Sequence, residues 1–212
     1  MKKLLFTCVA ILLYQVIPLL GAPELLLHWK TLVIIATAAV LWLSQPAIRT
    51  EEASTNKTTD RNTVWIILAM AGVSTIVPEL EWAYFTQDIN GSLLWNTIGL
   101  ALVGSGILFR VWAIRTLGRF FTSTVQTSRE HQLVTAGPYA LVRHPSYLGA
   151  FVTILGITVL LQAWTGLVVG AAAMFYAYYQ RIKVEEAALL AQFGERYAEY
   201  VMNRKKMLPA IW

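Results

Sequence analysis

The sequence predicts an all-α integral membrane protein. It reads as a bundle of about six transmembrane helices, the last two forming a helical hairpin, followed by a cytoplasmic C-terminal helical tail. Three observations predict it. The 212 residues are 57% hydrophobic and only 14% charged, where a soluble domain carries about 25% charged residues. The deficit is concentrated in long apolar runs, each near the roughly 20 residues that cross a bilayer. The basic residues lie between those runs and fall almost entirely on one side of the implied membrane.

The apolar runs cover residues 4–20, 25–43, 64–77, 93–114, 147–161 and 164–179. The shorter ones require tilt or support from neighbours. The first follows Lys2-Lys3 and reads as a retained helix. It is long for a signal-peptide core and is followed by no convincing small-x-small cleavage site, a signal peptide being the alternative. Cys8, the single cysteine, lies inside it; it has no partner for an intrachain disulfide and reads as a small apolar packing residue. Residues 44–62 are polar and read as a loop. The next loop is acidic, with Glu79, Glu81 and Asp88, and Asn90-Gly91 marks a turn. Gly104-Ser105-Gly106 follows no strand and opens no helix, so it reads as close helix packing rather than nucleotide binding. Gly166 and Gly170 read the same way. Gln162-Ala163 is the turn of the hairpin. Residues 187–200 form an amphipathic stretch at the membrane surface, interrupted near Gly194, and Arg204-Lys205-Lys206 reads as a basic anchor.

With the N-terminus in the cytoplasm, Lys30 is the only one of the 17 Lys and Arg residues placed on the opposite side. Both termini are then cytoplasmic. The net charge of +5 reflects this topology, because no aromatic-interleaved basic patch suggests nucleic acid. The chain reads as one compact domain, with N-terminal membrane helices in residues 1–90 and a functional core in 91–212. Two polar cytoplasmic segments in the second half, 115–144 and 180–212, are where chemistry is expected. The sequence contains no Ser-His-Asp order, no HExxH, no P-loop and no metal-ligand spacing, so no metal is expected.

The densest constellation is residues 137–147, containing Tyr139, Arg143, His144, Pro145, Ser146 and Tyr147. Pro145 suits the first turn of a helix, and free N–H groups there can bind a carboxylate. The segment also fits a capped helix start with interfacial anchors, and local chemistry leaves both readings open. The second constellation is Arg181, Lys183, Glu185 and Glu186. Arg181 and Glu185 are four apart and share a helix face. Ionisable residues at a membrane helix end are functional candidates, and an interfacial turn with snorkelling side chains fits equally.

Taken together, these segments resemble the isoprenylcysteine carboxyl methyltransferase family. The resemblance rests on Gln126, then His131-Gln132-Leu133-Val134 through Gly137-Pro138-Tyr139, then Arg143-His144-Pro145-Ser146-Tyr147. It continues through Arg181 with Glu185-Glu186 to Phe193-Gly194, Tyr197, Tyr200 and Leu208-Pro209. It covers residues 115–212, and the first half carries no comparable signature. The resemblance implies a membrane methyltransferase that uses S-adenosylmethionine without a Rossmann fold. It implies a cofactor site of Gln126, His131, Gln132, Leu133, Val134, Tyr139, Arg143, His144, Pro145, Ser146, Tyr147 and Glu185. Arg181, Glu185 and Glu186 would be catalytic, with Arg181 facing the acceptor. The acceptor it implies is the carboxylate of an isoprenylcysteine-like molecule. A phospholipid amine is the alternative acceptor, with Glu186 as its base. A nicotinamide-dependent sterol-type reductase is the alternative chemistry, and a scaffold or transporter subunit the non-enzymatic one. Lipophilic substrate and membrane lipids are the expected partners.

Overall fold

The computed structural model describes residues 2–45, 60–121 and 133–207, and every described element is helical. Helix α1 spans Lys2–Ile11 and continues through a π-helical turn, Leu12–Val16, into a 3-10 turn, Ile17–Leu19. After a 3-10 turn at Pro23–Leu27 come α2 (Trp29–Ser44), α3 (Asp60–Phe85) and α4 (Leu93–Leu117). A 3-10 turn at Gly137–Ala140 precedes α5 (Pro145–Leu161), α6 (Trp164–Phe193) and α7 (Glu195–Asn203).

Helices α1 to α6 alternate in direction, and two close pairs fix their register. On the α4–α5 seam, a Cβ at Gly106 would lie 2.4 Å from Thr153 Oγ1, and one at Gly149 would lie 2.7 Å from the Arg110 backbone nitrogen. These glycines let the backbones touch, as small residues do where helices associate in lipid. Helix α6 packs antiparallel on α3, with Gly166 against Pro78 and Gly170 against Ser74. Continued along the pair, that register brings Arg181 to Thr63, and the two are hydrogen-bonded at 3.0 Å. Glu81 secures the start of α6 by accepting from Thr165 N at 3.1 Å and Gly166 N at 2.6 Å, which satisfies donors left free at a helix N-terminus.

Two helices are long and apolar enough to cross a membrane by length and composition, residues Asn62–Phe85 and Leu93–Phe120. Lys3–Leu19, Trp29–Ser44 and Pro145–Leu161 are apolar but shorter. Helices of 16 and 17 residues rise about 25 Å, short of the roughly 30 Å hydrocarbon core. Many large apolar side chains face outward, among them Phe85, Leu93, Leu108 and Val168. Inside, one cluster packs around Trp82, Leu19 and Leu161. A second, with Phe151, Met174, Tyr178, Ile182 and Met207, lies beside the polar end described below.

Three local expectations change. Glu79 and Glu81 belong to α3 and not to a loop, because the helix continues through Pro78. Cys8 is exposed on α1 and does not pack. Gly106 packs tightly, but a Cβ at Gly104 would meet nothing within 4 Å. The hairpin forms as expected, with Gln162 in the left-handed conformation at φ 55°. Helix α6 runs unbroken past residue 179 to Phe193, and Gly194 breaks it at φ 53°.

Candidate active site

The site is built where the start of α5 meets the C-terminal half of α6. Pro145 occupies the first turn of α5, where its missing N–H costs nothing. The chain before it is held by the C-terminal segment. Arg143 N donates to the Lys205 carbonyl and His144 N to the Lys206 carbonyl, both at 2.9 Å. Tyr200 donates its hydroxyl to the Tyr139 carbonyl at 2.7 Å, and Met207 anchors the strap in the core with no exposure. The N–H groups of Arg143 and His144 are therefore occupied. Those of Ser146 and Tyr147, in the first turn, have no backbone acceptor among the described residues.

Onto this frame the two constellations converge. Arg181 Nε donates to Glu185 Oε1 at 2.8 Å, the ion pair that their spacing of four suggests. The Tyr147 hydroxyl donates to the same oxygen. His144 stands between the two carboxylates, with Nδ1 3.5 Å from Glu185 Oε2 and Nε2 3.3 Å from Glu186 Oε1. Glu186 also receives Arg143 at 3.0 Å and Lys206 at 3.5 Å. The rings stack, His144 on Tyr147 at 5.9 Å and Tyr147 on Tyr178 at 4.9 Å. Lys183 lies outside the cluster, over the Tyr179 ring.

The electrostatics follow from this pairing. Burial opposes ionisation of Glu185, but the Arg181 charge, the His144 hydrogen bond and charge, and the Tyr147 hydroxyl outweigh it and hold its pKa down at about 2. Burial likewise opposes the Glu186 charge, and His144, Arg143 and Lys206 overcome it, so its pKa is lowered. For His144, burial disfavours the imidazolium, yet the hydrogen bonds and charges of Glu185 and Glu186 prevail and raise its pKa. Both carboxylates are therefore ionised at neutral pH. They are fixed in place and poorly suited to accept a proton.

Of the residues singled out from the sequence, Arg143, His144, Tyr147, Arg181, Glu185 and Glu186 come together directly. Tyr139, Pro145 and Ser146 are buried in the adjoining backbone, while Leu133 and Val134 are partly buried upstream. Gln126, His131 and Gln132 lie outside the described residues. Sequence reasoning missed Thr63, Lys206 and Arg110. Arg110 is 2% exposed and donates Nη1 to the Ser146 carbonyl at 2.9 Å. Its signal was present, because it is a lone charge inside an apolar run. Thr63 and Lys206 join only through tertiary contact.

Comparison with known proteins finds relatives of one family. The isoprenylcysteine carboxyl methyltransferase (ICMT) family matches residues 97–191. The protein-S-isoprenylcysteine O-methyltransferase of Xenopus laevis is 37% identical over 145 residues, covering 65% of this chain and 50% of its own length. The chain thus spans about half the length of several curated relatives it matches. A probable protein-S-isoprenylcysteine O-methyltransferase of Oryza sativa subsp. indica is 34% identical over 138 residues, covering 64% of this chain and 68% of its own. The solved structure of the eukaryotic intramembrane Ras methyltransferase ICMT superposes with a TM-score of 0.67 at 27% identity, over 99% of this chain and 75% of that one. The helices therefore adopt a known membrane fold, and the protein is a multi-pass integral membrane protein. With its motifs, its helix arrangement and a relative matched over more than two thirds of that relative's length in agreement, this chain belongs to the isoprenylcysteine carboxyl methyltransferase family.

Proposed function

We propose that this protein is a membrane methyltransferase that uses S-adenosylmethionine to esterify the carboxylate of a lipophilic acceptor, an isoprenylcysteine or a molecule like it. The observation that carries the reading is the ion-paired cluster of Arg143, His144, Arg181, Glu185 and Glu186 at one end of the bundle, in a chain of this family.

The donor set fits the cofactor. Glu185 and Glu186 are ionised and complement a cation, while the first-turn N–H groups of Ser146 and Tyr147 suit a carboxylate. The stacked rings of Tyr147 and Tyr178 offer a flat apolar wall. Gln126, His131, Gln132, Leu133, Val134, Tyr139 and Arg143 complete the site by family resemblance. When bound, S-adenosylmethionine supplies a methyl group on a sulfonium cation, and transfer to a carboxylate cancels both charges, a step that a water-poor site favours.

A carboxylate acceptor needs no general base, so the residues act by placement. Arg181, locked by Glu185 and Thr63, positions the acceptor. The lowered pKa of Glu186 argues against an amine acceptor, whose base would need a pKa near the operating pH. Residues 91–212 supply most of this site, and the N-terminal helices lend Thr63, which accepts from Arg181, and Ser44, which accepts from Arg110 Nε at 3.3 Å. Both termini are assigned to the cytoplasm, which puts the site at the cytoplasmic membrane surface, open to lipidated substrate from the bilayer.

The test is to incubate the lipid-reconstituted protein with methyl-labelled S-adenosylmethionine and either an isoprenylcysteine free acid or an amine phospholipid. A base-labile methyl ester on the acid is expected. Base-stable label on the amine lipid would move the assignment to N-methylation, and absence of label on both would remove it.

A further inference from the structure

The C-terminal strap that holds the site also carries a surface of its own. Lys205 pairs with Val142 as an isolated parallel bridge. The Lys205 and Lys206 carbonyls take the backbone N–H groups of Arg143 and His144, both at 2.9 Å. The next residue, Met207, packs without exposure in the cluster of Phe151, Ile154 and Ile182 on α5 and α6. The strap is therefore pinned at the depth where α5 enters the apolar layer. Its outer side is uncovered. Arg204 and Lys205 are exposed, and neither joins an ion pair among the described residues. Beside them Met202 is 79% and Leu141 60% exposed, although neither belongs to a membrane-crossing helix. Val142, the neighbour of Leu141, turns inward with no exposure. Two unpaired cations and two exposed apolar side chains thus share one patch at the level of a membrane surface. That composition suits a lipid headgroup layer, with apolar side chains at the acyl boundary and cations against phosphates.

We propose that Leu141, Met202, Arg204 and Lys205 form a contact surface for anionic phospholipid, and that this contact steadies the site through the strap. The chain already lies in the bilayer, so headgroups are held at high effective concentration beside the patch. The coupling runs through the backbone. Headgroups that fix Arg204 and Lys205 also restrain the carbonyls of Lys205 and Lys206. Those carbonyls hold Arg143 and His144, whose side chains pair with Glu186 and, for His144, with Glu185. The inference rests on the reading of this end of the bundle as a methyltransferase site at the membrane surface.

The test uses the full chain in nanodiscs of phosphatidylcholine alone, or with a third of it replaced by phosphatidylglycerol. Two quantities are read, hydrogen exchange at Arg143 and His144 and affinity for S-adenosylhomocysteine. Phosphatidylglycerol is expected to slow the exchange and to tighten binding by about threefold, most of the roughly fivefold that one basic residue is worth at an anionic surface. Both responses are expected to fade at high salt and to vanish in Arg204→Gln/Lys205→Gln. They are expected to survive in Lys183→Gln/Arg196→Gln, which removes the same charge from exposed positions outside the strap. If the strap variant does not fold, the salt series on the natural chain decides alone. A natural chain indifferent to phosphatidylglycerol in both readouts would overturn the proposal. So would a control variant that loses the response as fully as the strap variant. Slowed exchange without S-adenosylhomocysteine binding in either lipid would keep the lipid contact and remove the methyltransferase reading. Intact binding with no response to lipid removes this inference only.

Discussion

At one end of the bundle Arg143, His144, Arg181, Glu185, Glu186 and Lys206 are bonded to one another within 3.5 Å. Towards the other end Lys30 and Glu79 are buried more deeply, at 0% and 1% exposure, yet Lys30 Nζ and Glu79 Oε2 have no hydrogen-bond partner among the described residues. Lys30 instead lies against the rings of Trp29 and Trp82, at 5.8 and 6.0 Å. Burial alone therefore does not mark chemistry in this molecule. Pairing of carboxylates with cations marks the site, because it keeps the carboxylates ionised in place at neutral pH, whereas a buried polar group left without a partner costs stability.

Exchanging charge for apolar volume at each end breaks this comparison most strongly. Arg181→Met leaves Glu185 buried without its main partner and is expected to destabilise by about 3–5 kcal/mol and to abolish methyl transfer, as read by denaturant unfolding and by ester formation. Unchanged activity would remove Arg181 from the site. The α4–α5 seam, which ties the site to the rest of the bundle, comes next. Gly149→Val forces the helices apart where Arg110 and Gly106 touch, and is expected to cost about 1–3 kcal/mol with loss of S-adenosylhomocysteine affinity. Lys30→Met should act in the opposite sense to Arg181→Met. It is expected to raise stability by about 1–2 kcal/mol, since it removes a buried unsatisfied group, and to leave turnover unchanged.

The smallest effect is a pH dependence. The folded His144 pKa is raised above 6.5, so its contribution is complete below that value and is lost as pH rises through the folded pKa. The stability difference between the natural chain and His144→Gln should therefore shrink on going from pH 6 to pH 9. The Glu185 pKa is lowered to about 2, so its contribution is complete above 4.5 and is lost as pH falls towards 2. A difference that grows as pH rises towards 6.5 and then levels off would mean His144 is held neutral.

Much of the site was legible in the sequence, because its strongest contacts are local or lie in recognisable motifs. The Arg181–Glu185 pair follows from a spacing of four, and the start of α5 follows from Pro145. The link between His144 and Glu186 spans 42 residues and is set by the hairpin, so the sequence did not anticipate it; the family resemblance only placed both residues in one site. Lys206 read as a lipid anchor because its isolated sequence is basic, but backbone pairing of Lys205 and Lys206 with Arg143 and His144 brings it to Glu186. The end of α3 was misplaced because Pro78 and two glutamates look like a loop. In the fold Glu81 instead caps α6, and Pro78 receives Gly166 at close range.

The most direct test of the methyltransferase assignment is calorimetric titration of the detergent-purified, lipid-supplemented protein with S-adenosylmethionine and S-adenosylhomocysteine, alongside His144→Ala. Saturable binding by the natural chain, lost in the variant, is expected. A folded natural chain that binds neither, or a variant that binds both with undiminished affinity, would contradict the placement of the cofactor at the start of α5.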